Sequence, residues 1–227
     1  MPVKKKIRLS REFCYFPATL FLALGAALMT KANFGLSAVV APAYLLSEIF
    51  QVSFGTAEYC LQGVLVAVVF LVIRRFRWTY LLSFVSAFLY GMVLDGFLWL
   101  LGLTGEWAVW LRLVMMVVGL LASSLGVALF FKTYLAPGAY ELFVKAVSKH
   151  FHRNINRFKI GYDVCSFLLA LILSLVAFHS VLDHGIHIGT VLVALFNGWV
   201  IGWFSKWLDA SFEFFDRFPF ARYFEED

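Results

Sequence analysis

The chain has 227 residues, of which 62% are hydrophobic and 19% aromatic, with a mean hydropathy of +0.85. Only 15% are charged, and nineteen Lys and Arg against fourteen Asp and Glu leave a formal net charge of +5. Such a composition excludes a water-soluble globular domain, and membrane topology accounts for the positive charge without a nucleic-acid partner.

A helix needs roughly 20 apolar residues to cross the hydrocarbon core, where each backbone group must be bonded within its own segment. Six stretches meet that length, at about Phe13–Thr30, Ala57–Ile73, Tyr80–Leu101, Trp107–Phe131, Gly161–Phe178 and Ile188–Leu208. The cations fall between them in groups. Lys4, Lys5, Lys6, Arg8 and Arg11 precede the first span, Arg74, Arg75 and Arg77 follow the second, Lys132 to Lys159 follow the fourth, and Lys206, Arg217 and Arg222 close the last. Only Lys31 and Arg112 fall on the other side. Because short loops rich in Lys and Arg stay in the cytoplasm, six crossings with both termini inside are expected. The basic and apolar start resembles a secretory signal, but it leads into five more spans and reads as an uncleaved first helix.

Two shorter segments do not span. After Asn33-Phe34-Gly35-Leu36-Ser37, the run Ala38 to Phe50 suits a re-entrant or interfacial helix with Ser37 placed to cap it. After Pro137 and Gly138, the run Ala139 to Phe151 carries Glu141, Lys145 and Lys149 and is expected to lie amphipathically on the inner surface. Helix starts beside such Gly and Pro breaks expose free amides that bind anionic groups. The segment 209–227 reads as a short inner tail.

The chain also resembles itself. Leu24, Gly25, Ala27, Leu28 and Lys31 recur 101 residues later as Leu125, Gly126, Ala128, Leu129 and Lys132. Glu58 and Cys60 match Asp163 and Cys165, and Gly91 matches Gly198 after an offset of 107. Each half, about 13–104 and 107–208, holds three spans, so the second enters the membrane from the opposite face. The expected fold is therefore all-α, a single polytopic membrane domain over 1–227 built as two inverted three-helix repeats with two short non-spanning helices.

Ionisable groups at membrane depth are functional candidates because burying them costs several kcal/mol unless they are paired or hydrated. Asp95, flanked by Gly91 and Gly96, is a candidate for a cavity, and Glu58 with its repeat partner Asp163 for ion coupling; capping of helix N-termini is the structural alternative for the latter two. Gln62 and Asn197 are amides within spans, which commonly bond across helices. Lys31 and Lys132 can snorkel to the headgroups. Candidate site residues are thus Asp95, Glu58, Asp163, Asn33, Gly35, Ser37, Gln62, Pro137, Gly138, Glu141 and Asn197.

Catalytic signals are weak. His179, Asp183, His184 and His187 share one loop without a second cluster to complete a zinc site, and no histidine is placed to activate Ser37 as in an intramembrane protease. No Walker loop, dinucleotide fingerprint or Cys-x-x-Cys pair occurs, and the three cysteines read as packing residues. Neither enzyme activity nor a cofactor or metal is expected.

The block Leu24 to Ser37, together with Ile188-Gly189-Thr190 leading through Ala194 and Leu195 to Gly198, resembles the YczE/YyaS group of bacterial integral membrane proteins. Members commonly continue the first turn with Pro-Trp-Asp, where this chain has Ser37-Ala38-Val39-Val40, and an Asp-Gly pair of the second half is replaced around Ala139-Tyr140-Glu141. The resemblance implies a bacterial plasma (inner) membrane location and a presumed transport role. Residues and resemblance together lead to a secondary transporter of a small solute or ion, with a midplane site between the repeats. The alternative is a non-transporting accessory protein that binds a cytoplasmic partner or lipid through its basic inner face.

Overall fold

In the computed structural model, residues 7–74, 78–102, 107–133, 138–179 and 187–216 are described. The described residues form eight helices: α1 (Arg11–Ala32), α2 (Ala41–Phe50), α3 (Phe54–Ile73), α4 (Trp78–Leu100), α5 (Val109–Phe130), α6 (Ala139–His150), α7 (Ile155–Phe178) and α8 (Ile188–Ser211). Six of them are long and apolar enough to cross a membrane; α2 and α6 are not. The side chains of the outer helices point away from the protein, with Trp99 79%, Val176 71% and Leu195 70% exposed, as a lipid-facing surface requires.

Several helices start earlier than their apolar stretches. α3 begins at Phe54 rather than Ala57 because Ser53 accepts from the Thr56 amide and Asp95 from the Gly55 amide. α7 begins at Ile155 rather than Gly161, where the Asn154 side chain accepts from the Arg157 amide. Apolarity marks the part of a helix inside lipid, whereas capping decides where the helix begins. β2 (Phe212–Phe215) pairs in parallel with β1 (Ile7–Ser10), tying the end of α8 to the start of α1.

α1 and α5 form the central pair. Glycines make the approach possible: a Cβ on Gly25 would sit 2.6 Å from the Gly119 carbonyl and 2.5 Å from the Ser123 amide, and one on Gly126 2.9 Å from the Ala18 carbonyl and 2.6 Å from the Leu22 amide. These contacts are reciprocal, since Ala18, Leu22 and Gly25 shifted by 101 residues become Gly119, Ser123 and Gly126. Other packings repeat in the same manner. α1 lies against α4 as α5 lies against α8, and each short helix packs on the other half, α2 on α7 and α6 on α3. Lys31 donates to the Gly102 carbonyl (2.6 Å), and Lys132 meets Asp209 (2.7 Å) at the positions 101 and 107 residues on.

Both short helices enter the interior. α2 starts where Val40 and Ala43 pack against Ala23, Ala26 and Tyr90, midway along α1 and α4. α6 does not lie along the surface as its amphipathic pattern predicts. Its first residues bond to Glu58 and Gln62 while Val147 packs on Val69, so it runs beside α3 from mid-depth to the basic end. Its polar face is accommodated because it faces a cavity.

Candidate functional site

Between the halves lies a cavity of about 1950 Å³. Its deep end is built from the starts of both short helices, Ser37 to Val40 before α2 and Gly138, Tyr140 and Glu141 of the α6 start, together with Glu58 and Gln62 of α3. Its mouth is at the basic end, where Arg11, Lys132, Lys145, Lys149 and Lys159 stand on the wall.

Among the described residues Glu58 is the most enclosed ionisable side chain, 1% exposed. The Tyr140 hydroxyl donates to its Oε2 (3.1 Å) and the Gln62 amide nitrogen to its Oε1 (3.2 Å), so both of these partners are neutral. Gln62 in turn accepts from the Ala139 amide (3.1 Å), which satisfies one free N–H at the start of α6. A helix N-terminus beside Gly138 thus presses against a buried carboxyl. Burial, with Glu58 beside it, holds the Tyr140 hydroxyl well above the ordinary tyrosine range, so that it keeps its proton and donates. Glu141 opens onto the cavity, yet the protein around it still desolvates its carboxyl and raises its pKa. Across the cavity wall Asp163 pairs with Lys159 (3.4 Å), and its second oxygen is buried without a partner among the described residues. On α8, Asn197 accepts from Ser124 of α5 (2.8 Å) and lines the cavity.

Glu58, Gln62, Glu141, Asp163, Asn197, Ser37 and Gly138 are therefore brought to one cavity. Asp95, Asn33 and Gly35 do not line it. Asp95 accepts from Gly55 (2.7 Å) and Ser53 (2.5 Å) and caps α3 from a neighbouring helix. Pro137 lies outside the described residues, as do Asp183 and His184 of the histidine loop. Sequence reasoning missed Tyr140 and Tyr162, whose rings stand 6.3 Å apart. The signal for Tyr140 was its place at a helix start beside Glu141.

The end opposite the mouth is sealed. Asn33 closes α1 in a left-handed conformation (φ 48°), and its Oδ1 lies 3.2 Å from His187 Nε2. The Gly189 amide donates to the Phe34 carbonyl (2.9 Å), and Gly35 (φ 135°) leaves no room for a Cβ, which would fall 2.2 Å from the Thr190 amide. Arg112 donates to the carbonyls of Ala32 (2.7 Å) and Asn33 (2.9 Å) and lies over the Phe34 ring. The Asn33–Ser37 turn and the Ile188-Gly189-Thr190 start of α8 are thus one joint.

No curated protein and no solved structure matches the chain. A family model described as a family of unknown function, DUF6198, matches residues 9–206, and the chain belongs to that family.

Proposed function

We propose that this multi-pass membrane protein is a secondary carrier built from two inverted repeats, with its site at the deep end of the cavity. The observation that carries the reading is that the starts of two half-length helices line one cavity at mid-depth, open at one end and sealed at the other. Inverted repeats with broken helices at the midplane recur in carriers, where two similar conformations open to opposite faces. The reciprocal packing of α1 on α5 and of each short helix on the other half supports that relation. With the basic end in the cytoplasm, the structure corresponds to an inward-open state.

Within this reading Glu58 is the coupling group. A carboxyl removed from water, with neutral partners donating to both oxygens, holds or releases a proton according to which side reaches it. Glu141 and Asp163 extend the acidic path toward the mouth. The segment 145–159, on which an accessory role would rest, contributes Lys145 and Lys149 to the cavity wall and so fits the carrier better.

The test is reconstitution of the full chain into proteoliposomes. An imposed pH gradient is expected to drive transport of a member of a panel of ions, amino acids, organic anions and labelled phospholipids, and Glu58→Gln is expected to abolish the gradient dependence while the protein stays folded. Uptake that is equally pH-driven in Glu58→Gln removes the assigned coupling role.

A further inference from the structure

The two halves differ at one seam. α3 and α4 are locked where Gly55 meets Gly91 and where Asp95 caps α3. The matching seam is parted: among the described residues α7 and α8 hardly touch, and a Cβ on Gly161, Gly198 or Gly202 would meet nothing within 4 Å. The cavity runs into this gap. Ile160, Val164 and Leu195 line it although they are 64%, 51% and 70% exposed, so the cavity reaches the surface that faces lipid.

A side opening at hydrocarbon depth gives a hydrated solute no path, because polar groups there lose their water. An acyl chain passes at little cost, since it exchanges lipid for an apolar wall. The cavity, at about 1950 Å³, is also larger than the upper range of roughly 1,000 Å³ for sites of drug-sized ligands. Where the gap meets the mouth, Lys159 precedes Ile160 on α7, and Lys145 and Lys149 of α6 stand on the same wall. Lys159 also pairs with Asp163, but Arg11, Lys132, Lys145, Lys149 and Lys159 outnumber Glu141, Asp163 and Asp209 along this part of the wall, an excess that suits an anion. Resting on the carrier reading, we propose that the cargo is a lipid with an anionic headgroup, whose chain enters between α7 and α8 and whose headgroup is held by Lys145, Lys149 and Lys159.

The full chain, purified in a neutral detergent, is melted with phosphatidylglycerol, with phosphatidylcholine and with glycerol phosphate alone. Phosphatidylglycerol is expected to raise the melting temperature by several degrees, and the other two by much less. Gly198→Trp, which fills open space, is expected to melt like the parent without lipid and to lose the shift, whereas Gly198→Ala keeps it. Lys159→Gln combined with Lys149→Gln is expected to shrink it and provides the test if the tryptophan variant does not fold. Equal shifts from both lipids, a full shift from glycerol phosphate, or a full shift in Gly198→Trp or in the double lysine variant overturns the proposal. If any of these results appears while Glu58-dependent uptake persists, the cargo class falls and the carrier stands. Loss of that dependence with lipid binding intact removes the coupled carrier and leaves the lipid site standing.

Discussion

At the sealed end one side chain holds three partners, which makes it the place to perturb. Arg112 donates to the carbonyls of Ala32 at 2.7 Å and Asn33 at 2.9 Å, and its guanidinium carbon lies 4.6 Å from the centre of the Phe34 ring. Hydrogen bonds from a charged donor contribute about 1.5–3 kcal/mol each, and an exposed cation–π contact about 0.5–1 kcal/mol. Arg112 is half-buried, so water replaces much of what its removal deletes, and a net loss of about 2 kcal/mol is the working figure. If those bonds exist only in the closed state, Arg112→Ala shifts the balance between closed and open by about thirtyfold, since each 1.4 kcal/mol is tenfold. Ser37 reports the change, because it lines the cavity just inside the seal. In a background with Cys14, Cys60 and Cys165 replaced, Ser37→Cys is labelled with a membrane-impermeant maleimide added from the sealed side. The rate is expected to rise by up to about thirtyfold with Arg112→Ala. An unchanged rate in a folded protein refutes the assignment of this joint as a gate. So does a rise that is equal from both sides, which indicates general loosening.

Two further substitutions separate structural carboxylates from working ones. Asp95→Asn weakens the cap on α3 and is expected to cost about 1–2 kcal/mol of stability, read as a lower melting temperature, with the KM for uptake unchanged; a changed KM at unchanged melting temperature would instead place Asp95 on the solute path. Tyr140→Phe leaves Oε2 of the fully buried Glu58 without its donor, and a loss of about 1–3 kcal/mol is expected. Combining it with Glu58→Leu is expected to cost less than the sum of the single changes, and strict additivity would show that the bond contributes nothing.

The spans were legible because lipid leaves the backbone no alternative to helix, so length and apolarity alone reveal them. The depth of α6 was not. Glu141, Lys145 and Lys149 make one face polar, which reads identically whether that face meets the inner surface or a wet cavity inside the protein. Boundary placement misled the reading of the acids as well. With α3 taken to begin at Ala57, Glu58 falls in the first turn and invites a capping role; with α3 beginning at Phe54, it lies beyond that turn and its oxygens bond to Tyr140 and Gln62. Asp95, which looks like a pathway residue by its glycine neighbours, holds the start of α3 from a partner helix. Such a cap joins residues 40 apart in sequence, so no local pattern announces it.

The difference between the two seams has a chemical origin that bears on how a carrier of this kind would move. The offset of 107 residues that relates Gly91 to Gly198 also places Gly202 where the first half has Asp95. The first seam therefore has both a close glycine contact and a carboxylate that clasps the facing helix start, whereas the second retains the glycine and lacks the clasp. Parting α3 from α4 would expose the Gly55 amide and the Asp95 carboxylate together at the membrane edge, and leaving such groups unpaired in lipid costs several kcal/mol. Among the described residues, parting α7 from α8 breaks no such bond. Within the carrier reading, α1 through α4 behave as the frame, and the seam between α7 and α8 is where the second half gives way.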